Sequence, residues 1–356
     1  MTTQAFLHEG QYQARTRWGT HESGAAFDRK KTPYLTEYAQ EFIAQQAICV
    51  MTGLTLHNEP RGMLVLGEPG LVKVLDESTC LLNLENRDEF APILQSLYHA
   101  LSTGQEAWLG LFFICHPTRE RLCVQGTVEM LSPPSSMQLS SSSMPQVTVR
   151  LHVQEAFFHC SKYIRTRIAG LTIPESHAQQ IESSQNEIAQ QLLQSNRLAL
   201  AGEHCRFLRQ QVLCLLCTVN REGRCAVNHR GGAPGFLVPY LPGYGAPRGV
   251  VLLPDFAGNG AFEAIGNILE TVRAALVVPD YVHHVALSIS GAACVIEADD
   301  LAVEVAQRCA GAERIIALAV QHIEVQSGDW SVPLAYELDR AESLWADTVA
   351  LPATLF

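Results

Sequence analysis

Residues 227–269 read VNHRGGAPGFLVPYLPGYGAPRGVVLLPDFAGNGAFEAIGNIL. A basic corner comes first, with His229 and Arg230 followed by Gly231 and Gly232. Two apolar runs of strand character follow, FLVPY and GVVLLP. Gly258-Asn259-Gly260 then precedes a segment whose Phe262, Ile265, Ile268 and Leu269 fall on one helical face. Glycine beside arginine at a tight corner suits an anion, most often a phosphate. A helix N-terminus offers free backbone N–H groups to the same ligand. A hairpin, a loop and a helix that merely pack together give the same pattern, so the residues alone leave the two readings level.

The stretch decides the fold because its first part occurs twice. Gly67-Glu68-Pro69-Gly70-Leu71-Val72 matches Gly232-Ala233-Pro234-Gly235-Phe236-Leu237. Around each copy the order of elements is the same: two strands, a glycine corner, two strands, an amphipathic helix, an apolar strand, a turn and another strand. In the first half these are 47–54, 62–67, 71–75, 79–84, the helix 90–103, 108–114 and 121–130, with a further strand at 147–153. In the second they are 212–219, 224–232, FLVPY, GVVLLP, the helix 261–272, 274–281 and 284–296, with a further strand at 315–326. Six or so antiparallel strands and one helix per half predict a small β-barrel capped by a helix. The expected fold is mainly β with connecting helices, two barrels in tandem packed as an internal pseudo-dimer.

Outside the repeat, residues 1–32 carry Arg15, Arg17, Arg29, Lys30 and Lys31. They read as an arm that is either solvated or in contact with a bound anion. Residues 33–46 have helical spacing, with Thr36 or Thr32 as the cap. The serine-rich run 132–146 reads as an exposed loop. Residues 155–168 read as more helical than extended, and 174–199 contain a polar connecting helix. The expected layout is an arm at 1–34, a first barrel at 35–170, a connector at 171–200, a second barrel at 201–326 and a partly helical tail at 327–356.

The 356 residues are 47% apolar and 17% charged, which is a globular balance. The formal net charge of -11 argues against nucleic acid or an anionic membrane as the main partner. No run approaches the roughly 20 apolar residues of a membrane span. The N-terminus has no apolar run suited to export, and the eleven cysteines are an odd number. Together these predict a cytoplasmic chain with reduced thiols. Cys214 and Cys217 lie three apart on a predicted strand and so face opposite sides, which predicts packing rather than a metal or redox pair. No zinc spacing, Walker loop or Gly-x-Ser-x-Gly is present, and no metal site is expected.

With the repeat in view, the second half resembles the pyridoxamine 5′-phosphate oxidase-like proteins, the FMN-binding split barrels. The matching strings, in order, are NHRGGAPGF, LLPDFAGN, IGNIL and AALVVPD. The first half is similar more weakly, through LGEPGLVKVLD, WLGLFFI and TRERLCVQG, and EAFFHCSKYIRTR resembles the family's Cys-x-Lys-Tyr-Ile segment. The resemblance implies an FMN-dependent oxidoreductase acting on a small organic substrate, with the FMN between two barrels. It places Arg230 on the phosphate with His229 and Gly231 beside it, and Asn259 near the cofactor. It brings Lys162, Tyr163 and Arg165 in from the other half. Asn267 lies in the matching helix motif, where a structural hydrogen bond serves equally well. Haem is the alternative cofactor, and the other functional readings are a non-catalytic flavin or haem module and a cofactor-free barrel pair acting as a partner protein. A homodimer is a further option.

Two departures from the family pattern matter. Gly260 stands where many members have a basic residue. The first half lacks RGG, with Leu66 and Gly67 near the place of the arginine and first glycine and Arg61 ahead of the strand, so at most one well-formed site per chain is expected. No catalytic residue is assigned. His283 and His284 are acid/base candidates, although an ordinary turn explains them as well. Cys160 beside basic residues and Trp330 in the tail have packing as their simpler role.

Overall fold

A computed structural model of the chain describes residues 7–85, 89–131, 146–159, 168, 182–195, 197–243 and 245–349. Its strands form two antiparallel seven-stranded sheets. The first half supplies β1 (Ile48–Leu54), β2 (Pro60–Leu66), β3 (Val72–Asp76), β4 (Thr79–Glu85), β5 (Trp108–Cys115), β6 (Glu120–Met130) and β7 (Gln146–Phe158). The second supplies β8 (Leu213–Val219), β9 (Cys225–Gly231), β10 (Val238–Tyr240), β11 (Val250–Asp255), β12 (Arg273–Asp280), β13 (Val285–Glu297) and β14 (Arg314–Ser327). The first sheet runs β2-β1-β5-β6-β7-β4-β3, and the second read from its other edge runs β9-β8-β12-β13-β14-β11-β10. The two orders are the same, so the sequence repeat is a repeat of topology. Each half has seven strands, of which β7 and β14 are the expected strands at 147–153 and 315–326.

Helices fall at matching places too. α3 (Glu37–Ala44) leads into β1, and the Thr36 side chain accepts from the Ala39 N–H at 3.2 Å as its cap. Thr32 instead pairs with Ala156 as an isolated bridge. α4 (Ala91–Ser102) lies between β4 and β5, and α7 (Glu263–Thr271) lies between β11 and β12. α5 (Glu182–Leu193) and α6 (Gly202–Gln210) precede the second sheet, α8 (Val303–Arg308) precedes β14, and α9 (Ser331–Val349) ends the described chain. Residues 155–158, expected to be helical, are the end of β7. Alternation carries Ala156 into the barrel core and Phe157 toward the second half.

Three apolar clusters explain the architecture. One fills the first barrel, around Met51, Leu111 and Leu151. Another fills the second, around Leu216, Ile265 and Leu287. The third lies between them and draws Val50, Leu64, Phe112 and Phe157 against Leu215, Val227, Val277 and Trp330. Strands β1, β5, β8 and β12 are therefore buried on both faces, which is why they read as unbroken apolar runs. Cys214 belongs to the second-barrel cluster and Cys217 to the cluster between barrels, on opposite faces of β8 as their spacing requires. Gly62 lets the halves meet, since a Cβ there would stand 2.7 Å from Val277.

The N-terminal arm is folded against the second half rather than a free tail. It folds into α1 (Glu9–Trp18) and α2 (His21–Asp28), and α1 packs on α7. Three of its cations, Arg15, Arg17 and Lys31, are matched by carboxylates of the protein, while Arg29 and Lys30 are exposed. Arg15 makes a buried paired bridge to Asp28 at 2.6 and 2.9 Å, Arg17 meets Glu297 at 2.8 Å, and Lys31 joins Glu155 and Glu263. Lys31 thus ties the arm to both halves. Burial works against its charge, but the two carboxylates outweigh burial and raise its pKa.

Candidate functional site

A cavity of about 140 Å³ opens where the arm, the first sheet and the second sheet meet. Its second-half wall is the stretch that decided the fold. β9 contributes Asn228, His229, Arg230 and Gly231, and β11 ends in Pro254 and Asp255. The loop Gly258–Gly260 and the first turn of α7 complete that side. The first half contributes Arg121 from β6 and His159 just past β7, and the arm contributes Phe27. Space of this size holds on the order of ten waters, ample for a phosphoryl group.

The cavity's electrostatics come from five basic side chains and two acids. Arg230 and Arg314 both grip Asp255, Arg314 at 2.8 Å. Arg121 faces them from the first half. Three nitrogens are sealed from solvent and have no hydrogen-bond partner: His159 Nε2, His229 Nδ1 and Arg230 Nε. A buried nitrogen without a partner loses its hydration for nothing, by about 1–3 kcal/mol each. The three residues that carry them line the cavity from both halves. Burial, then Arg121, Lys31 and Arg230, hold the His159 pKa well below the usual imidazole range. Burial, then Arg121, His116 and Arg230, do the same to His229. The resulting field attracts an anion.

The structure gathers His229, Arg230, Gly231 and Asn259 around one cavity. Arg230 lines it while ion-paired with Asp255. Asn259 shapes the loop, its Oδ1 accepting from the Ala261 N–H at 3.1 Å. Asn267 stands away from the cavity lining, and its Nδ2 donates to Thr218 Oγ1 at 3.1 Å in the barrel. Lys162, Tyr163 and Arg165 lie outside the described residues, as does Cys160. His283 and His284 occupy the turn between β12 and β13, and neither lines the cavity. His283 Nδ1 lies 2.8 Å from Asp280, and His284 stacks on the buried Trp330.

Gly260 has a packing reason. It sits at φ +69, and a Cβ there would stand 2.8 Å from the Thr20 Cβ and press on Ser23. Thr20 Oγ1 donates to the Gly260 carbonyl at 3.1 Å. The arm takes the space that a basic side chain would need. Sequence reasoning missed Arg121, His159, Asp255 and Arg314. The first two lie in segments that carried the first-half resemblance, and Asp255 lies in LLPDFAGN, but nothing in the spacing aimed them at one point.

Register shows what the first half holds at the same places. Leu213 pairs with Gly231 as Ile48 pairs with Leu66, so His229, Arg230 and Gly231 correspond to Leu64, Val65 and Leu66. The arginine's place thus belongs to Val65, one residue before the position expected from the sequence. The bulges at Gln125/Gly126 and Ser290/Gly291 align β6 with β13, which matches Arg121 and His159 to Ala286 and Gln326. By the same register Asp255 and Arg314 correspond to Leu84 and Val147. The contacts between halves follow this symmetry. Cys123 Sγ approaches the Val227 carbonyl at 3.9 Å, and Ser288 Oγ donates to the Gly62 carbonyl at 3.0 Å.

No protein-family model matches the sequence, and no curated protein does. Solved structures similar to single halves include a putative pyridoxamine 5′-phosphate oxidase from Lactobacillus delbrueckii, 18% identical, covering 36% of this chain and 98% of that one with a TM-score of 0.26. They also include HupZ from Group A Streptococcus, 12% identical over 36% and 95% with a TM-score of 0.29. HutZ, the haem storage protein of Vibrio cholerae, is 13% identical over 36% and 95% with a TM-score of 0.23. The strand order repeated within this chain identifies the fold independently of these distant likenesses: two tandem copies of one seven-stranded antiparallel topology.

Proposed function

We propose that the chain binds one FMN at the cavity between its halves and acts as an FMN-dependent oxidoreductase on a small organic substrate. The observation that carries this reading is that His159, His229, Arg230 and Arg121 line one cavity from both halves, beside the first turn of α7. Their chemistry fits a phosphate. The Arg230 guanidinium gives charge-assisted hydrogen bonds, and the imidazoles add donors in a site of low dielectric. Asp255 holds Arg230 in place from behind, so its fork is oriented before the ligand arrives. Bound FMN would supply the two-electron chemistry. The chain's own part is to hold the phosphate, exclude water with the arm and Phe27, and leave substrate choice to the surrounding loops.

The absorption spectrum of the purified protein, followed by titration with FMN, tests this. A two-banded flavin spectrum, or quenching of added FMN fluorescence at micromolar protein, is the expected result. A Soret band would instead assign the site to haem. A colourless protein that neither quenches FMN nor is stabilised by it would overturn the reading and favour a cofactor-free partner role.

A further inference from the structure

We infer that an anion entering this cavity is bound together with protons taken up by His159 and His229, so that occupancy of the site depends on pH. The inference rests on the reading of the cavity as a phosphate site and concerns how that site is loaded.

Geometry carries the argument. His159 comes from the first half and His229 from the second, and both line the same cavity. The sealed nitrogen of each, Nε2 and Nδ1 respectively, has no hydrogen-bond partner. Among the described residues, several packed elements surround them. Arg121 comes from β6, and His116 stands in the turn before it, its ring 6.3 Å from that of His229. Arg230 and Asp255 close the β9 and β11 side, with Arg314 behind them. Lys31, Glu155 and Glu263 form the bridge near the arm.

In the free protein, burial and the neighbouring cations keep both imidazoles neutral. A phosphoryl dianion cancels the field of those same cations. An opposite charge within hydrogen-bond reach favours the charged form of a histidine by about 1–3 pH units. Each ring then changes from an imidazole with a bare lone pair to an imidazolium with two N–H donors. The proton comes from solvent, so the complex gains one proton for each histidine converted. By linkage, affinity then rises as pH falls, by up to about tenfold per pH unit for each proton taken up.

Isothermal titration of the full chain with FMN, and separately with inorganic phosphate, in buffers of different ionisation enthalpy reads proton uptake directly and needs no variant. The proposal expects an apparent enthalpy that varies with the buffer, corresponding to net proton uptake that grows as the pH is lowered from about 7.5. His159→Gln and His229→Gln, checked for folding by circular dichroism, should each reduce that uptake and flatten the pH dependence of affinity. Tight binding with no proton uptake would overturn the inference while leaving the phosphate site standing, since neutral tautomers would then be the donors. Failure of both FMN and phosphate to bind would overturn the site itself and the inference with it.

Discussion

At one junction between the halves, Arg121, His159, His229 and Arg230 face a cavity. At the other, the same places in the fold are held by Ala286, Gln326, Leu64 and Val65. Gln326 shows how the second junction is closed. Its Oε1 accepts from the Leu64 N–H at 2.9 Å and its Nε2 donates to the Leu64 carbonyl at 3.1 Å. A neutral amide thus satisfies the outward backbone of edge strand β2 and needs no ligand. His159, in the same place opposite β9, leaves a nitrogen uncommitted. The repeat supplied two equivalent junctions, and side chains at a handful of register positions closed one with hydrogen bonds and left a cavity at the other.

The arm sharpens the contrast, because α1 lies against α7 beside the open junction. The largest predicted effect is there. Arg15→Ala leaves Asp28 buried without its partner and should destabilise the protein by about 3–5 kcal/mol, read by chemical denaturation. Next comes the anion contact itself. Arg230→Ala should weaken FMN binding by about 10- to 100-fold, the equivalent of losing one charge-assisted hydrogen bond. Val65→Ala, its counterpart, and Arg61→Ala should leave affinity unchanged, and equal loss in all three would break the comparison.

Gln326→Ala should cost about 1–3 kcal/mol of stability, since it strands the Leu64 backbone groups, and leave FMN affinity intact. His159→Gln should show the reverse, with stability kept and affinity lost. The smallest effect belongs to Gly260→Ala. Its left-handed backbone and the nearness of Thr20 should lower stability by about 1–2 kcal/mol, measured as a shift in thermal midpoint.

Much of this was legible in the sequence because it is carried by short periodicities. Apolar runs gave β1, β5, β8 and β12, and the face of Ile93, Leu94 and Leu97 gave α4. The paired glycine corners gave the duplication. The arm misled because its cations are partnered by Glu155, Glu263 and Glu297, residues distant in sequence that only folding brings near. The end of β7 misled because Phe157 and Phe158 look helical locally, while pairing with Cys123 and Leu122 makes them extended. Within the site, the corner His229-Arg230-Gly231 was visible as a motif. Arg121 and His159 were not, since they meet only through a β6–β7 register that depends on a bulge. Of the two roles open to Asn267, the structure has the structural hydrogen bond, because its neighbour Thr218 lies on β8, inside the barrel.

The central claim is that one junction binds and its twin is sealed. Titration of the full chain with FMN, monitored by fluorescence quenching at protein concentrations well above the dissociation constant, counts the sites. The account predicts an end point at one FMN per chain. An end point at two, or no saturable binding at all, would contradict it.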